Sequence, residues 1–198
     1  MRESRTYGSV RGALSNERPY RDPISSIACP SRGARAGRVN GQVREIARGL
    51  SPFNFQGAAV AAGRLMILRM QALVRSGESF AFETTCSGRT YARWLQACKA
   101  AGWRVTLLYL WLPSPRAAID RVARRVQEGG HGVPDDVVIR RYQAGLANMR
   151  RLYMPLADVA AIYDNSDIGR TLIAERTPDA PLIVYDSTRW ALIERTMK

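Results

Sequence analysis

Val105 to Leu112 is a nearly unbroken apolar run, interrupted by Thr106 alone. It is strand-sized, far short of the roughly 20 apolar residues that span a bilayer. A strand apolar on both sides must be covered on both faces, as in the middle of an α/β sheet. Further short apolar runs lie at Ser79-Phe80-Ala81-Phe82-Glu83 and from Val159 to Tyr163, with terminal strands expected at 171–175 and 181–185. Between them the pattern turns helical. The spacing predicts helices from Asn54 (as N-cap) to Ser76, from about Arg89 to Ala101, and from Ser114-Pro115 to Gly129-Gly130. Two more run from Pro134-Asp135 to about Tyr153 and from Thr188 to Arg195. In the first helix Leu65, Leu68 and Ala72, and on a second line Val60, Ile67 and Val74, recur at helical spacing. Strands alternating with helices of crossover length imply βαβ units and a parallel sheet.

Composition narrows the class. The chain is 46% hydrophobic and 24% charged over 198 residues, ordinary usage for one globular domain. That argues against disorder throughout, collagen and coiled coil. The N-terminus has arginines but no apolar segment of a secretory signal. Cys29, Cys86 and Cys98 show no CxxC spacing, and with the single His131 they make no credible zinc site, so no metal site is expected. A reduced, cytoplasmic setting is the expectation.

The net charge is +13, and of 30 basic residues only Lys99 and Lys198 are lysines. Guanidinium forks fit phosphate oxygens bidentately, although a GC-rich coding sequence gives the same bias. Residues 1–44 carry nine arginines against Glu3, Glu17 and Asp22, with many Gly, Ser and Pro. They read as an irregular basic segment apart from the Ile24-Ser25-Ser26-Ile27-Ala28 run, and residues 45–198 as the folded domain. The basic segment lacks the aromatic interleaving that single-strand binding favours, which argues against nucleic acid.

Several clusters could carry chemistry. Glu83-Thr84-Thr85 follows the carboxyl end of a predicted strand, where α/β sheets bind ligands. A carboxylate there accepts substrate hydroxyls, and threonines donate to phosphate or ribose. The alternative is a capping cluster for the next helix, with Thr85 or Ser87 as N-cap. Arg121, Arg124 and Arg125 share a helix face, and Arg140 and Arg141 follow across a glycine-rich hinge. Two arginine groups around such a hinge form either a lid that closes on phosphate or a solvated basic face. In the lid reading Arg125 and Arg141 are the phosphate contacts, and His131 is a hinge residue rather than a base. Asp164-Asn165-Ser166 ends a strand on the same edge, as a nucleotide contact or as an Asx turn. Trp94, Trp103, Trp111 and Trp190 read as packing anchors.

The blocks Glu45-Ile46-Ala47-Arg48-Gly49-Leu50-Ser51-Pro52-Phe53, Gly77-Glu78-Ser79-Phe80-Ala81-Phe82-Glu83-Thr84-Thr85 and Ser87-Gly88-Arg89 stand in a fixed order. Leu110-Trp111-Leu112-Pro113-Ser114-Pro115, Arg121-Val122-Ala123 with Arg125-Val126, Gly129-Gly130-His131, Arg140-Arg141-Tyr142 and Tyr163-Asp164-Asn165-Ser166 follow. In that order and spacing residues 45–166 resemble the zeta-toxin family of P-loop kinases, especially its chromosomal branch. The resemblance implies an α/β, P-loop kinase-like parallel sheet flanked by helices. It implies a kinase using ATP and Mg²⁺ to phosphorylate a small molecule such as a UDP-linked amino sugar, with an antitoxin as a protein partner. It implies catalytic roles for Arg125 and Arg141, substrate contacts from Glu83, Thr84, Thr85 and Arg89, and nucleotide contacts from Arg121, Arg140, Asp164 and Asn165.

The chain also departs from that family. Its Walker A loop needs a lysine after glycine to reach the β and γ phosphates, and no Gly-Lys pair exists in this sequence. Arg44 stands where the family's general-base aspartate is expected, and no aspartate lies between Asp22 and Asp120. Residues 1–44 are therefore expected to be foreign to the family, through a frameshift, a displaced start or a fusion. The kinase is expected to be impaired or inactive, or a non-catalytic partner-binding remnant. Losing the P-loop strand, with about four buried aliphatic side chains at roughly 1.5–3 kcal/mol each, forfeits about 6–12 kcal/mol. Whole-domain stability is about 5–15 kcal/mol. The fold is then marginal unless Ile24 to Ala28 replaces the strand or a partner fills the gap.

Overall fold

In the computed structural model, which describes residues 25–29, 55–129, 132–167 and 169–195, the Val105–Leu112 run supplies an inner strand of a six-stranded mixed sheet flanked by helices. The elements in chain order are β1 (Ser25–Cys29), α1 (Phe55–Arg75), β2 (Phe80–Thr84), α2 (Thr90–Ala100), β3 (Thr106–Trp111), α3 (Pro115–Gln127) and α4 (Asp135–Asn148). A π-helical turn (Met149–Tyr153) runs on into α5 (Met154–Leu156), β4 (Val159–Asp164), β5 (Thr171–Thr177), β6 (Ala180–Val184) and α6 (Ser187–Arg195). The strand order is β2-β1-β3-β4-β5-β6. The N-cap expected at Asn54, the hinge expected at His131 and most of residues 1–44 lie outside the described residues.

The expectation of a parallel sheet holds only at its centre. β3 and β4 pair in parallel, Thr106 with Val159 through Trp111 with Asp164, joined by the α3–α4 crossover. β5 runs antiparallel to β4, and β6 to β5. The links after β4 and β5 are too short for a crossover, which needs a dozen residues or more, so these strands fold back as hairpins. β1 is antiparallel to both neighbours, with Ser25 beside Thr84, Cys29 beside Phe80, and Ala28 beside Thr106. Residues 25–28 of the Ile24–Ala28 run thus fall in a strand between β2 and β3, with Ile27 and Cys29 fully buried.

The helices end where their capping residues predict. Ser114 is the N-cap of α3 and accepts from Ala117 N at 3.1 Å, with Pro115 in the first turn. Gly77 (φ 71°) and Gly102 (φ 86°) take the left-handed conformation that closes α1 and α2, where a Cβ would be strained. Of the two apolar lines of α1, that of Ile67 and Val74 packs on the core, and Leu65 and Leu68 of the other do not. Met66, Met70 and Leu73 are buried, with Ile67 and Val74 beside them, whereas Leu65 and Leu68 are exposed. The phase is set by the flexible methionines, which fill the space over the sheet.

The tryptophans pack as anchors. Trp94 and Trp103 lie against Phe80 with ring centroids 5.4 and 6.0 Å away, while Trp111 and Trp190 are buried in the main core. A smaller cluster of Leu112, Ala118 and Val138 seats α3 and α4 on each other. At the amino edge of β3 and β4, Lys99 Nζ donates to Asp158 Oδ1 and to the Leu156 carbonyl, both at 2.9 Å. Among the described residues no helix is long and apolar enough to cross a membrane.

Candidate functional site

The register brings Thr84, Trp111 and Asp164, the last residues of β2, β3 and β4, to one edge of the sheet. This is the carboxyl edge, where open α/β sheets bind ligands.

The loop leaving β2 is the most constrained part of that edge. Cys86 has φ 56°, a left-handed conformation for a residue with a Cβ. Such backbone persists at about 1–3 kcal/mol only when the surroundings hold it. Four hydrogen bonds and one close backbone approach hold it here. Cys86 N donates to Thr84 Oγ1 at 3.0 Å. Asn148 Nδ2 donates to the carbonyls of Cys86 and Ser87 at 3.0 and 2.9 Å. The Tyr153 hydroxyl donates to the Gly88 carbonyl at 2.7 Å. Gly145, in the last turn of α4, lies so close to the Thr85 carbonyl that a Cβ there would overlap it.

The loop exposes Thr85 and Arg89, with Glu83 and Ser87 half-buried beside them. Thr84 is buried, its hydroxyl turned to the loop's own backbone. Neither Thr85 nor Ser87 caps α2. The cap is Arg89, which makes no side-chain cap bond, and the Thr85 and Ser87 hydroxyls bond each other at 2.8 Å. The capping alternative is thereby removed for this pair, and two hydroxyls remain at the surface of a hydrogen-bonded loop.

Asp164 and Asn165 are buried at the end of β4. Asp164 Oδ1 accepts from Ser166 N at 2.9 Å and from Ser166 Oγ at 2.5 Å, which is the Asx turn. Its Oδ2 accepts from Arg189 Nε at 2.6 Å. That bond ties α6 to the carboxyl edge, and Arg189 also donates to Asp186, just before the helix, at 2.5 Å. Arg121 Nη1 donates to the Asn165 carbonyl at 2.5 Å. With the Asn165 amide turned so that its oxygen faces the guanidinium, it accepts from Arg121 at 3.2 and 3.1 Å. Arg121, Asp164 and Asn165 thus lie together, and their bonds to one another and to Arg189 build this corner.

Of the other arginines, Arg124 and Arg140 are exposed and Arg125 is half-buried on α3. Arg141 reaches solvent, yet packing around its stem, and then the charge of Arg140, lower its guanidinium pKa. Arg141 and Gly145 are four residues apart on α4, so they share a helix face. Arg141 therefore stands about one turn, some 5–6 Å, from the point where α4 touches the Thr85 loop. The next residue, Tyr142, donates to the Leu112 carbonyl at 2.9 Å, and burial pushes its hydroxyl up to about 12.

Sequence reasoning missed Gly145, Asn148, Tyr153 and Arg189. Gly145 carried a signal, a lone glycine inside a helical pattern, which weakens a helix unless something packs against it. The other three carried none, because their partners are remote in sequence. Among the described residues no group of three or more His, Cys, Asp or Glu could hold a metal ion.

The chain is 30% identical over 97 residues to an uncharacterized protein of Haemophilus influenzae, a match covering 49% of this chain and 69% of that protein. No family model and no solved structure matches the chain.

Proposed function

We propose that this chain, which belongs to one family with the uncharacterized Haemophilus influenzae protein, is a zeta-toxin-like phosphotransferase scaffold that keeps the substrate half of its site and has lost the ATP half. Its ligand is a small phosphate-bearing sugar, with a UDP-linked amino sugar as the candidate. The observation that carries this reading is the Thr84–Gly88 loop, strained at Cys86 and braced by Gly145, Asn148 and Tyr153 one helical turn from Arg141. Strain held in place by so many contacts is characteristic of ligand clamps.

Each group has a role in this scheme. Glu83 accepts from sugar hydroxyls, and the Thr85 and Ser87 hydroxyls donate to the sugar or its phosphate. Arg89 adds positive charge at the start of α2. Arg141 and Arg125 neutralise phosphate, with Arg140 adding to the field. Arg121, Asp164 and Asn165 line the nucleotide end through the bonds that hold them there.

ATP and Mg²⁺ do not fit the residues present. In a P-loop kinase-like sheet the phosphate loop follows a strand parallel to its neighbours. Here β1 fills the place between β2 and β3 in the opposite direction. Its carboxyl end, Cys29, lies beside Phe80, at the edge away from Thr84 and Asp164. No Gly-Lys pair supplies the phosphate lysine. No step through ATP follows for this chain.

Calorimetry on the full chain tests the reading. UDP-N-acetylglucosamine is expected to give saturable heat, and ATP with Mg²⁺ neither heat nor phosphoryl transfer. Absence of binding by the sugar nucleotide, or transfer from ATP, overturns it. A second reading, a non-catalytic module for a protein partner of antitoxin type, draws on the exposed Ile183, Val184 and Tyr185 at the edge strand β6 and on Leu192 of α6.

A further inference from the structure

The α4 helix and the π turn that continues it touch the Thr85 loop at three levels, the π turn supplying the third. Gly145 meets the Thr85 carbonyl, Asn148 binds the Cys86 and Ser87 carbonyls, and Tyr153 binds the Gly88 carbonyl. In a regular α-helix a residue five positions beyond Asn148 points about 140° away around the axis. The i to i+5 hydrogen bonding over Met149–Tyr153 widens the turn and brings residue 153 back towards the face of residue 148. Interruptions of this kind recur at functional sites. Their product here is a straight row of supports under four consecutive residues of a strained loop.

We infer that Gly145, Asn148 and Tyr153 are positioning residues that hold the Thr85 and Ser87 hydroxyl pair at a fixed reach from Arg141, so that the site selects a ligand carrying hydroxyls at one end and phosphate at the other. The inference rests on the substrate reading proposed above for the ligand's identity, and on the geometry alone for the support of the loop. Three features of the geometry carry it. Arg141 and Gly145 lie on one face of one helix, so the backbone that carries the guanidinium and the loop contact belong to a single element. Gly145 permits an approach that any side chain would block. Thr85 and Ser87 spend their hydroxyls on each other at 2.8 Å rather than on the α2 cap, which fixes both at the surface. A preorganised pair of this kind binds without first losing loop entropy.

Two measurements on the full chain test it, using the variants Gly145→Ala, Asn148→Ala and Tyr153→Phe, with Lys99→Met as a control at the opposite edge. The first is amide hydrogen exchange. All three site variants are expected to speed exchange about tenfold at residues 86–88 while β3 and β4 keep their protection; Lys99→Met is expected to leave 86–88 as in the wild type. The second is the ratio of affinities for UDP-N-acetylglucosamine and UDP. The wild type is expected to prefer the sugar nucleotide, and the site variants to lose that preference about tenfold while binding UDP as before. A merely structural role would weaken both ligands together.

Unchanged exchange at 86–88 in Asn148→Ala and Tyr153→Phe overturns the inference, as does equal acceleration across β3 and β4. Should Gly145→Ala not fold, the other two variants decide. A wild type that binds neither ligand defeats the substrate reading, and the exchange data then decide the support of the loop by themselves.

Discussion

Gly145 lies directly against the backbone carbonyl of Thr85, at a distance that leaves no room for a methyl group. One glycine thereby sets how closely a helix approaches the loop at the carboxyl edge. Gly to Ala inside a helix ordinarily gains up to about 1 kcal/mol from propensity. Here the overlap is with backbone, which must shift, and overpacking costs about 1–3 kcal/mol. Gly145→Ala is expected to lower the urea midpoint, in the direction opposite to its propensity.

Ile27 is fully buried in β1, the strand that fills the gap between β2 and β3. Truncation of a buried isoleucine costs about 2–5 kcal/mol. Ile27→Ala is expected to take a large share of a stability near 5–15 kcal/mol, read by circular dichroism melting. A variant melting with the wild type would show that β1 does not hold the sheet together.

Asp158 gives stability with a defined pH dependence. Burial pushes its pKa up, but the Val105 N–H, the hydrogen bond and charge of Lys99, and the charge of Arg104 outweigh burial and hold it below 3.8. A depressed folded pKa means the contribution is full above the unfolded value and is lost as pH falls through the folded one. Asp158→Asn is expected to cost about 1 kcal/mol at neutral pH, the group being partly solvated, and much less near pH 3. Urea titrations at the two pH values measure the difference.

The three cysteines are buried and none forms a disulfide. Burial pushes the Cys98 thiol up to about 11. Burial, and then the neighbouring Cys98 and Asp158, raise Cys29 well above the ordinary thiol range. Thiolate is the reactive form. Native protein is expected to react slowly with a disulfide reagent in mildly alkaline buffer, and all three thiols to react at once in guanidinium. Fast reaction of any thiol in the native state contradicts this placement.

Ser114 supplies the side-chain bond at the N-terminus of α3, the helix that carries Arg121 and Arg125. Ser114→Ala is expected to cost about 1 kcal/mol by chemical denaturation. Its effect on ligand affinity should stay small, because the Leu112, Ala118 and Val138 cluster still seats α3 on α4.

The sequence by itself determined the elements. Apolar runs of strand length, Ser114-Pro115 at a helix start, and Gly77 and Gly102 at helix ends act through neighbours a few residues away, so their effects are readable in one dimension. It also determined the absence of a Gly-Lys phosphate loop. Only the tertiary structure decided the direction of β1, because an isolated short run such as Ile24–Ala28 pairs either way, and the choice depends on strands beside it that are distant in the chain. The same holds for the site. Glu83, Thr85 and the arginines were visible as residue types, but the bonds from Asn148 and Tyr153 to the loop, and from Arg189 to Asp164, span 25 to 65 positions. Contacts of that separation leave no periodicity in the sequence, and they come into being only when the sheet has set its edges.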